Sequence, residues 1–358
     1  MSGKPAVGPS YEGLQRKKLL ALLITCALAI IAALAEAGTG SIEFGLDEIF
    51  RALIGRGDAT ANTVLFGIRF PRAAAAILVG AALAMSGAVM QCVLHNPLAS
   101  ASTLGVSQGA AFGAAVGIIV FGGGVVNTGA ADFAIQIDNP YIVTLCAFVF
   151  GSLSTVVVIA ISRLRRDIGP GGLVLAGVAL SSLFTGGSTL LQYFADDTKI
   201  SAVVFWAFGD LGGTNWTQLL ILLVVTAAGF VYFMLRRWDY NALQNGADTA
   251  SSLGVNTRTV TLVSMGMCTL ASALAVSFVG IISFVGLVAP HIMRRFVGDD
   301  YRWLLPCSAA AGSLLLLLAD LFSRVVIAPV ELPVGAVTSF LGAPVFLYLL
   351  LKGGRRGG

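Results

Sequence analysis

The sequence predicts an all-α, polytopic membrane protein of about ten transmembrane helices built on an inverted internal repeat. Three observations predict it. Charge is sparse: of 358 residues, 11% are charged and 57% hydrophobic, against roughly 25% charged in soluble domains. The apolar residues come in runs of about 20, the length that crosses a bilayer as a helix. Such runs neither alternate nor stay short, which excludes the strands of a membrane barrel. Finally, the basic residues fall in small groups beside the runs, mostly on one side of the membrane once the runs are threaded through it. The 43 glycines suit helices whose backbones approach closely in lipid.

The first run begins after Arg16-Lys17-Lys18 and covers about 19–36. Its basic start and Ala33-Leu34-Ala35 also fit a secretion signal, but about 17 apolar residues suffice to span, and it is read as the first span. Arg69-Phe70-Pro71-Arg72 opens the second, 66–89. An arginine near the bilayer centre costs about 2.5–3.5 kcal/mol, so this pair marks a membrane surface and the run behind it spans. A break at His95-Asn96-Pro97 precedes the third, 98–122, which Gly105, Gly109 and Gly113 interrupt. Next come spans at 141–162, 172–194, 216–235 and 259–280, then a short one at 282–293, and finally 303–319 and 333–351. Segment 200–211 is amphipathic and too short to cross, which predicts a half-helix at the surface; segment 320–331 reads the same way. The organisation is an N-terminal tail (1–18), a membrane domain (19–352) and a C-terminal tail (353–358).

With the N-terminus inside, only Arg51, Arg56, Arg69, Arg72, Lys199 and Arg324 lie outside, and the other 16 of 22 basic residues lie inside, as the positive-inside rule requires. Ten spans return the C-terminus to the same side, so both termini are expected in the cytoplasm. The repeat shows as Ala82-Leu83-Ala84-Met85-Ser86 in the second span and Ala273-Leu274-Ala275-Val276-Ser277 in the seventh, each trailed by a proline, Pro97 and Pro290. Five spans separate the copies, so one is inverted, and inverted repeats with interrupted helices mark transporters.

Much chemistry is excluded. No GxxxxGK[ST] nucleotide loop or HExxH occurs, and the spans show no facing carboxylates or carboxylate–histidine relay to carry protons. No catalytic residue and no cofactor are predicted. The scattered basic groups argue against nucleic acid. Cys26, Cys92, Cys146, Cys268 and Cys307 form no CxxC pair and sit in or beside apolar runs, as small apolar fillers. His95 and His291 have no second ligand nearby, which predicts no metal site and a helix-end hydrogen bond instead.

Seven collinear stretches carry a resemblance: Arg69-Phe70-Pro71-Arg72; GAALAMSGAVMQ with HNPLA at 95–99; LVLAGVALSS at 173–182; ALQNGADTASSLGV at 242–255; GIISFVGLVAPHIMRR at 280–295; LLPCSAAAGSLLLLLADLFSR at 304–324; and ELPVGAVTSFLGAPVFLYLLLK at 331–352. Together they resemble the permease subunits of type II ABC importers, the family that moves iron-siderophores, haem and vitamin B12. The resemblance implies a permease working as a homodimer with two cytoplasmic ATPase subunits and an extracytoplasmic binding protein, in the bacterial cytoplasmic (inner) membrane. It implies an iron chelate, siderophore or haem, as cargo, with vitamin B12 or a molybdate-like oxyanion as alternatives. Energy supplied by a separate ATPase fits the missing nucleotide loop. A secondary transporter driven by an ion gradient is the reading from another class.

Three groups of residues are singled out. In the inner segment 240–257, Leu243, Ala247, Ala250 and Leu253 recur at helical spacing as an apolar face, with Gly246 breaking the segment into two short helices and Gly254 capping the second; in the family the matching segment docks on the ATPase. Arg69, Arg72 and Arg324 fall outside, and the resemblance implies that they meet carboxylates of the binding protein; headgroup anchoring is the alternative. Ser181, Thr185, Ser188 and Gln192 share one face of the fifth span, either lining a pathway or packing with hydroxyls bonded to their own backbone. Thr338, with Gly335 and Gly342, gives a comparable face on the tenth. The resemblance places both faces along the pathway at the dimer interface.

Overall fold

The computed structural model describes residues 11–40, 44–123, 125–127, 135–137, 139–165, 169–328 and 330–353. Among them the chain forms α1 (Tyr11–Gly38), α2 (Leu46–Leu53), α3 (Ala59–Val64), α4 (Phe70–Val93), α5 (Val106–Ala115), α6 (Pro140–Leu164), α7 (Pro170–Tyr193), α8 (Asp197–Phe208), α9 (Trp216–Leu235), α10 (Arg237–Leu243), α11 (Ala247–Ser252), α12 (Thr257–Val279), α13 (Val285–Val297), α14 (Tyr301–Val325) and α15 (Val334–Gly353). A small antiparallel hairpin, β1 (Val125–Asn127) with β2 (Ile135–Ile137), lies between α5 and α6.

Local chemistry sets the starts. Pro140 and Pro170 occupy the first positions of α6 and α7, where a missing N–H costs nothing. Asn215 and Gln218 form a reciprocal capping box on α9, with bonds of 2.9 and 3.1 Å. Asn256 caps α12 by accepting from the Thr259 N–H at 3.0 Å. A π-helical turn, Leu65–Arg69, joins α3 to α4 directly ahead of Pro71. Proline removes one helical hydrogen bond and crowds the carbonyl four residues back, and a widened turn relieves both.

Every predicted span overlaps helical structure, although 98–122 and 282–293 begin in irregular segments. Among the described residues, seven helical segments are long and apolar enough to cross a membrane, including the continuous stretch Ala59–Val93. Three are shorter: Val106–Val120, the 13-residue α13, and the apolar Val334–Tyr348 of α15. Helix α8 is the short helix expected near 200–211. Segment 320–331 is not a separate half-helix: α14 continues through Val325 before the chain turns, with Asp320 and Arg324 holding one face of that last stretch against α1 and α4.

Helix α4 sits at the centre, packed on α9, α12, α13 and α14. Of the window spanning α3 and α4, 72% is buried, against 17% for α1 and for α7, so α4 is core and the other two are periphery. Small residues allow this. A Cβ added at Gly87 would overlap the Gly286 carbonyl, and one at Gly80 would overlap Gly312. Both copies of the AxAxS string lie on central helices in mutual contact, α4 and α12. Each helix gives way to an irregular segment that re-enters a short helix through a left-handed residue, Gly105 (φ 85) before α5 and Phe284 (φ 65) before α13.

Candidate translocation, coupling and docking sites

One end of the bundle carries an ion cluster that the sequence reading divides wrongly. Arg69, Arg72 and Arg324 do come together, but they face inward. Arg72 is 7% exposed. Its guanidinium holds Asp320 through Nε at 2.9 Å and Nη2 at 3.0 Å, and holds Glu331 through Nη1 at 2.8 Å. Arg324 lies 3.3 Å from Asp320 and 3.6 Å from Glu36. Arg69 donates to the Ala37 carbonyl at 2.7 Å and stacks over the Phe44 ring. The physical reason is neutralisation: Asp320 is 0% exposed, and a buried carboxylate demands cations. An outward docking surface made of these three arginines is therefore corrected to a buried clasp joining α1, α4, α14 and the approach to α15. The expectation that no carboxylates face each other within the spans is overturned by the same cluster. Two signals could have found it: Glu36 is the lone acid of an otherwise apolar run, and Asp320 stands one helical turn before Arg324.

The polar stripe of α7 is divided. Ser181 and Thr185 line an open cavity of about 630 Å³, together with Ser182, Asn96, Ser102, Thr103 and Gln108. Ser188 and Gln192 stand further along α7, outside that lining. The Ser181 and Thr185 hydroxyls donate to the Gly177 and Ser181 carbonyls at 2.8 and 2.9 Å, so their own donors are satisfied while their oxygens face the cavity. Gln108, Ser102 and Asn96 were missed because they sit in an irregular segment and a short helix, where no periodicity collects them. Thr338 is elsewhere: it donates to the Gly335 carbonyl at 3.0 Å and borders an apolar cavity of about 470 Å³ between α13, α14 and α15. Thiols introduced at Ser181 and Thr185 are expected to react with a water-soluble maleimide in lipid. One at Leu183, exposed on another face of α7, is expected to react much more slowly because lipid or a second chain covers it. Equal rates at all three sites would contradict a hydrated groove.

At the opposite end, segment 240–257 folds as the predicted pair of short helices, α10 and α11. Gly246 (φ 105) turns the chain between them and Gly254 (φ 85) comes after the second, conformations that need glycine. The four apolar residues do not share one face. Leu243 and Ala250 are buried in the core, whereas Ala247 and Leu253 are exposed, Leu253 at 69%. The spacing was helical, but the turn at Gly246 splits it and re-aims the second half. The pair is anchored by Tyr240 to Ser264 at 2.8 Å and by Asn241, which accepts from the Tyr301 N–H at 2.8 Å and donates to Asp300 at 3.0 Å. Burial pushes the Tyr240 phenol well up, so it stays a neutral hydrogen-bonding group.

The chain has known relatives. It is 49% identical over 346 residues to MJ0087 of Methanocaldococcus jannaschii, a protein assigned as an ABC transporter permease, covering 96% of this chain and 97% of that one. It is 35% identical over 333 residues to the iron(3+)-hydroxamate import system permease FhuB of Bacillus subtilis, covering 92% and 83%. A solved transporter assigned to the metal-chelate ABC type, in an inward-facing conformation, superposes with a TM-score of 0.80 at 30% identity, over 92% of this chain and 98% of that one. Residues 26–352 match the FecCD transport family, and the chain, a multi-pass membrane protein built on this helical bundle, belongs to that family of ABC transporter permease subunits.

Proposed function

We propose that two copies of this chain pair in the cytoplasmic membrane and pass an iron chelate, a siderophore complex or haem, inward to the cytoplasm. An extracytoplasmic binding protein delivers the cargo at the Arg72 end, and two ATPase subunits act on the α10–α11 end, where both termini also lie. The observation that carries this reading is the polar groove beside α7: its lining starts at Asn96, next to the residue that contacts the α10–α11 turn, and runs along a helix largely uncovered by its own chain. The iron-hydroxamate, haemin and iron-citrate permeases among the relatives support iron, and the vitamin B12 permeases among them keep that cargo as the alternative. The cluster near Arg72 is the feature a gradient-driven carrier would use, but its central carboxylate, Asp320, is held by both Arg72 and Arg324.

Exposed Leu253 is the contact proposed for the ATPase. Leu253→Asp is expected to leave stability within about 0.5 kcal/mol, as surface changes do, and to weaken ATPase co-purification and transport, because the new charge must be desolvated against the partner. Leu243→Asp is expected instead to lose folded protein, since it puts an unpaired charge in the core. Unchanged pull-down and uptake with Leu253→Asp would contradict the coupling role.

A further inference from the structure

His95 links the pathway-lining segment directly to the α10–α11 pair. It sits just past α4 with φ 45, a left-handed conformation that only glycine adopts freely. From there its imidazole Nε2 lies 2.9 Å from the Leu243 carbonyl oxygen. A carbonyl oxygen only accepts, so Nε2 carries the proton. The same carbonyl accepts the Gly246 N–H at 3.0 Å, which places the bond on the turn between α10 and α11. The residues just after His95 form the wall of the groove: Asn96, Leu98, Ser102 and Thr103. The Leu104 carbonyl at the end of this segment accepts from the Ser154 hydroxyl of α6. The segment is therefore held at one end by α6 and at the other by the imidazole. Other anchors of α10 lead to α4, α12 and the start of α14 through Tyr240, Asn241 and Gln244, not to the groove wall.

We propose that His95 is a positioning residue for ATP-driven transport, a strut that moves the 96–104 wall when an ATPase displaces the α10–α11 turn. This rests on the function proposed above. The backbone geometry supports a selected role: a left-handed non-glycine residue costs conformational energy, and the imidazole reaching Leu243 is what the position gains.

The test uses the chain assembled with its cognate ATPase in lipid nanodiscs, carrying Cys26→Ala, Cys146→Ala and Ser102→Cys. The probe is a water-soluble maleimide, and the readout is the labelling rate of the introduced thiol with and without ATP-vanadate. In the parent the two rates are expected to differ by at least about 5-fold, the low end of ordinary coupling between sites. His95→Gly removes the imidazole and relieves the backbone, so a purely structural role predicts no loss; the strut predicts that the nucleotide dependence disappears while ATP hydrolysis persists. His95→Asn, which tolerates positive φ but stops short of Leu243, is expected to behave the same way. His95→Gln, whose amide nitrogen reaches the Nε2 position, is expected to restore the response. A full nucleotide response in either His95→Gly or His95→Asn overturns the strut and leaves the proposed function standing. A parent complex with no nucleotide response overturns the proposed function, and the strut with it.

Discussion

Asp320→Ala is expected to destabilise the protein by about 3–5 kcal/mol, the cost of leaving buried charges without their counterion. Asp320 is 0% exposed and is shared by Arg72 and Arg324, whose side chains are 9% and 8% exposed. Its removal takes from Arg72 and Arg324 the carboxylate they share, leaving Arg72 only the half-exposed Glu331 and Arg324 only Glu36. Glu331, at 55% side-chain exposure, provides the control: Glu331→Gln is expected to cost no more than about 1 kcal/mol, as exposed ion pairs do. Thermal unfolding of the detergent-solubilised chain measures both. Equal melting temperatures for the two variants would return the arginines to the outer surface and remove the clasp.

Gly87→Val is expected to be worse still for assembly of the bundle. Overpacking a close-packed core costs typically about 1–3 kcal/mol, and more when the obstacle is backbone. Here the obstacle is the Gly286 carbonyl, on the first turn of α13. A side chain at Gly87 drives α13 away from α4 and opens the junction between the two halves of the repeat. Gly67 meets nothing within 4 Å, so Gly67→Ala is expected to be tolerated. Expression and monodispersity in detergent report the difference, and a well-folded Gly87→Val protein would contradict the close approach of α4 and α13.

The helices were legible because bilayer physics leaves few choices: an apolar run of spanning length with no charge has one stable form. The turn chemistry at Gly246 and Gly254 was legible for the same local reason. Direction was where the reading failed. Arginines near a membrane surface were read as facing out, yet Arg72 and Arg324 turn in because Asp320 and Glu36, distant in sequence from Arg72, need them. Leu243 and Leu253 share a helical period, yet one is core and the other surface, since a single glycine turn re-aims α11 relative to α10. Likewise Ser181 and Thr185 could be placed on a face, but not beside Asn96 and Gln108, which reach the groove through tertiary packing alone.

Uptake of a radiolabelled ferric hydroxamate by proteoliposomes tests the central claim most directly. The vesicles contain this chain with its cognate ATPase, and the cognate binding protein is present on the outer-face side. The account predicts accumulation that requires ATP on the α10–α11 side, is lost with Leu253→Asp, and is indifferent to proton or sodium gradients. Accumulation driven by an ion gradient without ATP, in vesicles carrying this chain alone, would contradict it.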